Sequence, residues 1–194
     1  MPSDRRGSQN LFRQTAALRI KWNDRKALPF ASQTAALAQS ATEKTGVNTL
    51  LGVAPSTEDF VKKAATSDLF EIAVSKLAVE RADPATKAFA EQMVRDHERI
   101  SSELKQMVAN QTVTVVIPAE MTESQKEMPA KLQGLQGQEF NELYHSDQVK
   151  VHADAVDLFQ RYGEKGEQTA VKTWAANTLP TLRHHLDTAK ELNK

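Results

Sequence analysis

The stretch PATKAFAEQMVRDHERISSELKQMVA, residues 84–109, decides the fold class of this chain. It contains no glycine, and its only proline stands first, where the missing N–H costs nothing and Asp83 can cap a helix. Its large apolar side chains recur at the spacing that places them on one face of an α-helix. They are Phe89, Met93, Ile100, Leu104 and Met107. The stretch therefore predicts a long helix with one buried face.

Three more runs without glycine or proline lie before and after this predicted helix. They span residues 56–83, 138–162 and 167–179. Each run is too long for an ordinary strand, and evenly spaced turn signals for many short strands are missing. We therefore expect an all-α domain with four long helices.

Local signals predict where these helices begin and end. Ser56 can cap the N-terminus of the first helix. We expect the third helix to begin at Gly137 and to end at Gly163. The fourth helix starts near Gln168, and Pro180 inside it should kink or break it. Between the second and third helices we expect an extended crossover at residues 112–117, then a short extra helix capped by Ser124 and ending near Gly134.

Two helical hairpins joined by a long crossover describe a ferritin-like four-helix bundle better than an up-down bundle with short loops. A weak internal repeat agrees with two related hairpins. Residues 85–90 read ATKAFA, and residues 170–175 read AVKTWA. The predicted fold is thus a ferritin-like bundle of two hairpins with a short extra helix in the crossover.

Composition removes several classes of function. The chain has 194 residues, no cysteine and a formal net charge of zero, which excludes disulfide scaffolds, Cys-ligated zinc and Cys nucleophiles. A balanced charge argues against nucleic-acid binding. No apolar run approaches the roughly 20 residues that a membrane-spanning helix needs. We expect neither a nucleic-acid partner nor a transmembrane span, whereas a protein partner or a homo-oligomer stays open.

The beginning of the chain differs from the rest. Residues 1–41 hold seven basic residues and two acidic ones, a net charge of +5. Ala36-Leu37-Ala38 has the small-x-small form that signal peptidase accepts, although Pro29 interrupts the preceding apolar stretch. We expect a basic arm with a degenerate signal segment at 1–41, a linker at 42–55 and the bundle domain at 56–194. This predicts a periplasmic or exported protein; the alternative is a basic tail or a start codon assigned too early.

Each predicted helix carries one polar residue in its apolar sector. On a helical wheel these are Glu71, His97, His152 and His185, whereas His184 points outward. At 1.5 Å per residue, Glu71 and His97 differ by about 3 Å in depth, but His152 and His185 differ by about 12 Å.

Two hypotheses follow from these residues. In one, the three imidazoles and the Glu71 carboxylate bind a single divalent ion such as zinc or copper(II). Asp96 or Tyr144 would then support the ligands, and His145 is an alternative ligand. In the other, Glu71 pairs with His97, while His152 and His185 bond to Tyr144, carbonyl groups or water, and the cluster only specifies the fold. The difference in depth favours the second.

The segment FVKKAATSDLFEIAVSKLAVERADPATKAFAEQMVRDHERISSELKQMVA, residues 60–109, resembles the bacterial exported ferritin-like family numbered four-one-four-two among domains of unknown function. Residues 137–144, then His152, and residues 179–182 leading to His185 continue the resemblance. It implies a ferritin-like fold, a bacterial envelope location and no assigned activity. The family's polar landmarks fall on Glu71, Asp96, His97, Tyr144, His152 and His185; Asn141 stands where the family usually has aspartate.

Ferritin chemistry is not expected from this chain. A ferritin-like di-metal centre needs two Glu-x-x-His motifs, and the chain has one, at Glu142–His145. We therefore expect no di-iron oxidase and no iron store. The expected function is a non-enzymatic envelope protein whose polar cluster specifies the fold and which interacts with envelope partners; the alternative is binding of one divalent metal ion.

Overall fold

The computed structural model of the protein describes residues 52–110 and 112–194. These residues form five helices: α1 Thr57–Arg81, α2 Pro84–Ala109, α3 Glu123–Gln133, α4 Gly137–Lys165 and α5 Thr169–Leu192. The described part of the chain contains no strand, which confirms the all-α class. Within that part, none of the helices combines the length and the apolar character that a membrane crossing requires. The predicted arm at residues 1–41 and most of the predicted linker lie outside the described residues.

Several predicted helix boundaries are confirmed by their capping groups. The Ser56 side chain accepts a hydrogen bond from the Asp59 backbone N–H at the start of α1. Asp83 accepts from the backbone N–H groups of Ala85 and Thr86 at the start of α2. These bonds satisfy N–H groups that the first turn of a helix cannot pair internally. Residues 112 and 113 form a bend and residues 114–117 belong to no helix or strand, so the crossover lies where it is expected.

Two predicted boundaries are wrong, and of the two effects predicted for Pro180, a kink or a break, the break is absent. Thr122, not Ser124, caps α3, because it forms a reciprocal capping box with Gln125. Helix α4 passes through Gly163 and ends at Lys165. Helix α5 continues through Pro180 without a break.

Gly163 serves the packing of two helices and does not end one. A Cβ atom at this position would lie 3.2 Å from the backbone N and Cα atoms of Ala176 on α5. The missing side chain therefore lets α4 and α5 approach closely at this point.

The long helices pack as two hairpins. α1 contacts α2 along much of its length, α4 contacts α5 in the same way, and fewer contacts join α1 to α4 and α2 to α5. α3 lies mainly on α1.

The core is divided into two apolar clusters. One contains Phe60, Leu104, Tyr162 and Trp174 among others, and the second contains Phe70, Met93 and Phe140 among others. On every long helix, buried polar residues lie in sequence between members of the two clusters, and six of them are Asp68, Glu71, His97, Gln148, His152 and His185. We call these six residues the polar layer.

Candidate metal centre

Three histidines from three helices meet in the polar layer. His97 lies on α2, His152 on α4 and His185 on α5, and each is at most 2% exposed. Their ring centroids are 5.8 Å apart for His97 and His152, 5.5 Å for His97 and His185, and 5.4 Å for His152 and His185. One ring nitrogen of each lies within 4.8 Å of one ring nitrogen of both others.

The outward nitrogen of each ring donates a hydrogen bond to the protein. His97 Nδ1 is 2.8 Å from Asp68 Oδ1, and His185 Nε2 is 2.9 Å from Asp96 Oδ2. His152 Nδ1 is 2.9 Å from the backbone oxygen of Gln148. Because carboxylate and carbonyl oxygens accept hydrogen bonds, these contacts place the proton of each neutral ring on its outward nitrogen.

The second nitrogen of each ring has no hydrogen-bond partner within residues 52–110 and 112–194. These atoms are His97 Nε2, His152 Nε2 and His185 Nδ1. A neutral imidazole whose one nitrogen carries the proton offers a lone pair on the other. In its neutral form, each of the three rings therefore presents a buried lone pair that no donor among the described residues uses.

The electrostatic environment keeps two of the three rings neutral. Burial lowers the pKa of His152 well below its ordinary value, and the neighbouring His97 and His185 lower it further. Burial lowers the pKa of His185 to about 4, against the opposing effect of Asp96. Burial also lowers the pKa of His97, but the hydrogen bond and charge of Asp68 outweigh it, so the pKa of His97 is raised. His152 and His185 are therefore in the protonation state that binds a metal ion.

Glu71 is buried, as its position on the helical wheel predicts, but it does not pair with His97. Its Oε2 accepts a hydrogen bond from Gln148 Nε2 at 2.8 Å, and His97 bonds to Asp68 instead. The predicted pair of Glu71 and His97 is therefore wrong. Among the described residues, the cluster of potential ligands comprises the three histidines and does not include Glu71.

The other predicted site residues, Asp96, Tyr144 and His145, make contacts of their own. Asp96 supports His185, as described above. The Tyr144 hydroxyl lies 3.0 Å from Ser75 Oγ, and His145 Nε2 lies 2.7 Å from Thr86 Oγ1. Neither Tyr144 nor His145 joins the three-histidine cluster.

The predicted depth difference of about 12 Å between His152 and His185 is wrong, because α4 ends at Lys165, two residues after Gly163, and α5 begins at Thr169, three residues after Gly166. His152 lies 13 residues before Lys165, and His185 lies 16 residues after Thr169. The remaining difference of three residues corresponds to about 4.5 Å along the helix axes. The two rings therefore meet.

Sequence reasoning missed Asp68 and Gln148. Asp68 is 3% exposed and Gln148 is 0% exposed. A usable signal was present, because Asp68 lies three residues before Glu71 and Gln148 lies four residues before His152. Both spacings place the pair on one helix face.

Comparisons with known proteins leave the activity open. Neither the curated proteins nor the solved structures contain a match to the chain. The family model described as Domain of unknown function (DUF4142) matches residues 40–192, and this range includes all five helices of the described residues and the entire polar layer. The chain therefore belongs to the DUF4142 family, a domain family of unknown function.

Proposed function

We propose that this protein binds one divalent transition-metal ion through His97 Nε2, His152 Nε2 and His185 Nδ1. One observation carries the proposal: the three histidines bring one ring nitrogen each within 4.8 Å of one another, and each ring has one buried nitrogen without a hydrogen-bond partner among the described residues, while its other nitrogen is bonded. Buried polar atoms are nearly always satisfied, so three such atoms at one point favour a ligand.

The groups behind the histidines support the same function. Metal-bound histidines characteristically donate their second N–H to a carboxylate or a backbone carbonyl, which fixes the ring and raises its basicity. Asp68, Asp96 and the Gln148 carbonyl supply this arrangement. The three rings are thus oriented before an ion arrives.

The donor set favours particular ions. Imidazole nitrogens suit zinc, copper, nickel and iron, whereas magnesium, calcium and manganese prefer oxygen ligands. Zinc and copper(II) are therefore the first ions to test. A cluster that only specifies the fold is the competing function, but it gives the three inner nitrogens no role.

We also propose that the four long helices form a ferritin-like bundle in a protein of the bacterial envelope. The two hairpins joined by a long connection that carries α3 support the bundle. The basic charge of residues 1–41 and the sequence Ala36-Leu37-Ala38 support export. A protein partner or a homo-oligomer is compatible with this proposal.

Calorimetric titration of metal-free protein without a histidine tag tests the metal site. We expect one zinc or copper(II) ion per chain and a rise in melting temperature on loading, because a ligand that binds only the folded state stabilises it. His152→Gln and His185→Gln should each abolish both effects. The control His184→Gln, on the exposed neighbour of His185, should leave both unchanged. No binding, or equal binding by all variants, would overturn the proposal.

A further inference from the structure

The coordination that the polar layer offers is incomplete for a transition-metal ion. The three histidine nitrogens are three donors, and the cluster of described residues that meets at this point contains no carboxylate. Zinc in closed structural sites takes four protein ligands, whereas three protein ligands leave a position for water or another exogenous ligand. An ion bound here would keep at least one position that the three histidines do not fill.

Glu71 is the fourth ligand that the sequence predicts, but its carboxylate is bonded elsewhere. Gln148 Nε2 donates to Glu71 Oε2 at 2.8 Å, and the backbone oxygen of the same Gln148 accepts from His152 Nδ1 at 2.9 Å. One residue therefore holds both the Glu71 carboxylate and the ring of a proposed ligand. A move of Glu71 to the ion would break the bond to a buried amide, which costs free energy.

The surroundings limit what can occupy the remaining position. Met93 and Ile100 lie one turn on either side of His97, and Leu182 and Ala189 lie one turn on either side of His185. All four are at most 1% exposed. The polar layer is thus closed by apolar side chains on both sides, and only a ligand of a few atoms can fit without opening the core.

Charge favours an anion or a water molecule that can lose a proton. Three neutral imidazoles leave the charge of a divalent ion undiminished, and a buried charge needs compensation. Asp68 and Asp96 provide part of it through the rings to which they bond. A small anion bound directly to the ion would provide more.

We infer that the metal ion bound by His97, His152 and His185 keeps an open coordination position for water, hydroxide or a small inorganic anion, and that Glu71 is not a ligand. This inference rests on the proposed metal site. The site would then belong to the metal sites that bind and exchange a small ligand on the ion, and not to closed structural sites whose ion only holds helices together.

Azide titration of the cobalt(II)-loaded protein tests the inference, because the visible spectrum of cobalt(II) reports its coordination. We expect azide to shift these bands saturably in both the wild type and Glu71→Gln. Imidazole, which is larger and carries no charge, should not shift them. Metal content measured after each titration shows that the ion has stayed bound.

Two results would overturn the inference while leaving the metal site intact. If cobalt is bound but azide shifts neither spectrum, the position is closed. If azide acts on Glu71→Gln but not on the wild type, Glu71 is the fourth ligand. Failure of the protein to bind cobalt, zinc or copper(II) at all would instead refute the proposed function itself.

Discussion

Among single residues, Glu71 has an ionisation that depends strongly on burial. Burial raises the pKa of its carboxyl group to about 7, and Gln148 and His97 oppose this only in part. Between the ordinary pKa and the raised one, the folded metal-free protein holds a proton that the unfolded chain has released. Stability should therefore be highest below the ordinary pKa of glutamate and should fall as the pH rises through about 7.

The substitution Glu71→Gln isolates this effect, because glutamine is neutral throughout. From about pH 5 to about pH 8, the wild type should lose about 2.5 kcal/mol more of its free energy of unfolding than Glu71→Gln does. Urea unfolding of both metal-free proteins at the two pH values measures the difference. Parallel pH dependence of the two proteins would show that Glu71 titrates normally.

Asp68 is the residue through which the ring of His97 is held. Asp68→Asn replaces the carboxylate that accepts from His97 Nδ1 with an amide, so the affinity for zinc should fall by about 10-fold to 100-fold. Asp187→Asn, at a carboxylate whose side chain is 75% exposed, is the control and should bind zinc like the wild type. Equal affinity in all three proteins would remove Asp68 from the site.

The sequence predicts single residues of the site well but not their partners. Helical periodicity gives the direction of a side chain about its own axis, and it correctly places Glu71, His97, His152 and His185 in the interior. It does not say which side chain of a neighbouring helix lies opposite. For this reason the Glu71 and His97 pair was wrong, and the bonds made by Asp68 and Gln148 were missed.

At the scale of helices, Gly163 was wrongly predicted to end a helix, and in the structure it is a contact point between α4 and α5. Taken as a helix end, Gly163 accounts for two of the residues by which the depth difference between His152 and His185 was overestimated; as a contact point, it brings α4 and α5 together. Capping residues such as Ser56 and Asp83 predicted their boundaries correctly because a cap depends on local hydrogen bonds. The role of Gly163 depends on Ala176, which lies on another helix.

Gly163→Ala should therefore destabilise the protein. The added Cβ atom would lie 3.2 Å from the Ala176 backbone, and overpacking of this kind costs about 1–3 kcal/mol. The better helix propensity of alanine returns about 1 kcal/mol, so we expect a net loss of about 1 kcal/mol in thermal or urea unfolding.

Gly134→Ala is the matched control for this substitution. Its added Cβ atom would lie 3.5 Å from the nearest atom, the Lys131 backbone oxygen, which is an ordinary contact. Gly163→Ala should also weaken zinc binding, because α4 and α5 carry His152 and His185. A Gly163→Ala protein as stable as wild type would show that the two helices can separate without cost.

Across the whole molecule, the polar layer interrupts an otherwise apolar interior. One apolar cluster lies on each side of it, and the hairpin of α1 and α2 supplies His97 while the hairpin of α4 and α5 supplies His152 and His185. A bound ion would therefore join the two hairpins where fewer contacts connect them. The all-α class was predictable from the long runs without glycine or proline. The meeting of His97, His152 and His185 was not, because it depends on where each helix begins and ends.

Export is a prediction about residues outside the described part of the chain. The mass of the intact protein recovered from its native host should correspond to a chain that begins near Gln39 or later. A cytoplasmic product that still begins at Met1 would contradict export.

A crystal structure of the zinc-loaded protein would show whether the three histidine nitrogens bind one metal ion. Anomalous scattering at the zinc edge should reveal one ion, at about 2.0–2.1 Å from His97 Nε2, His152 Nε2 and His185 Nδ1. Glu71 should remain bonded to Gln148 and should not contact the ion. Loaded protein with zinc only on surface residues, or with no anomalous peak between the three rings, would refute the proposed metal site.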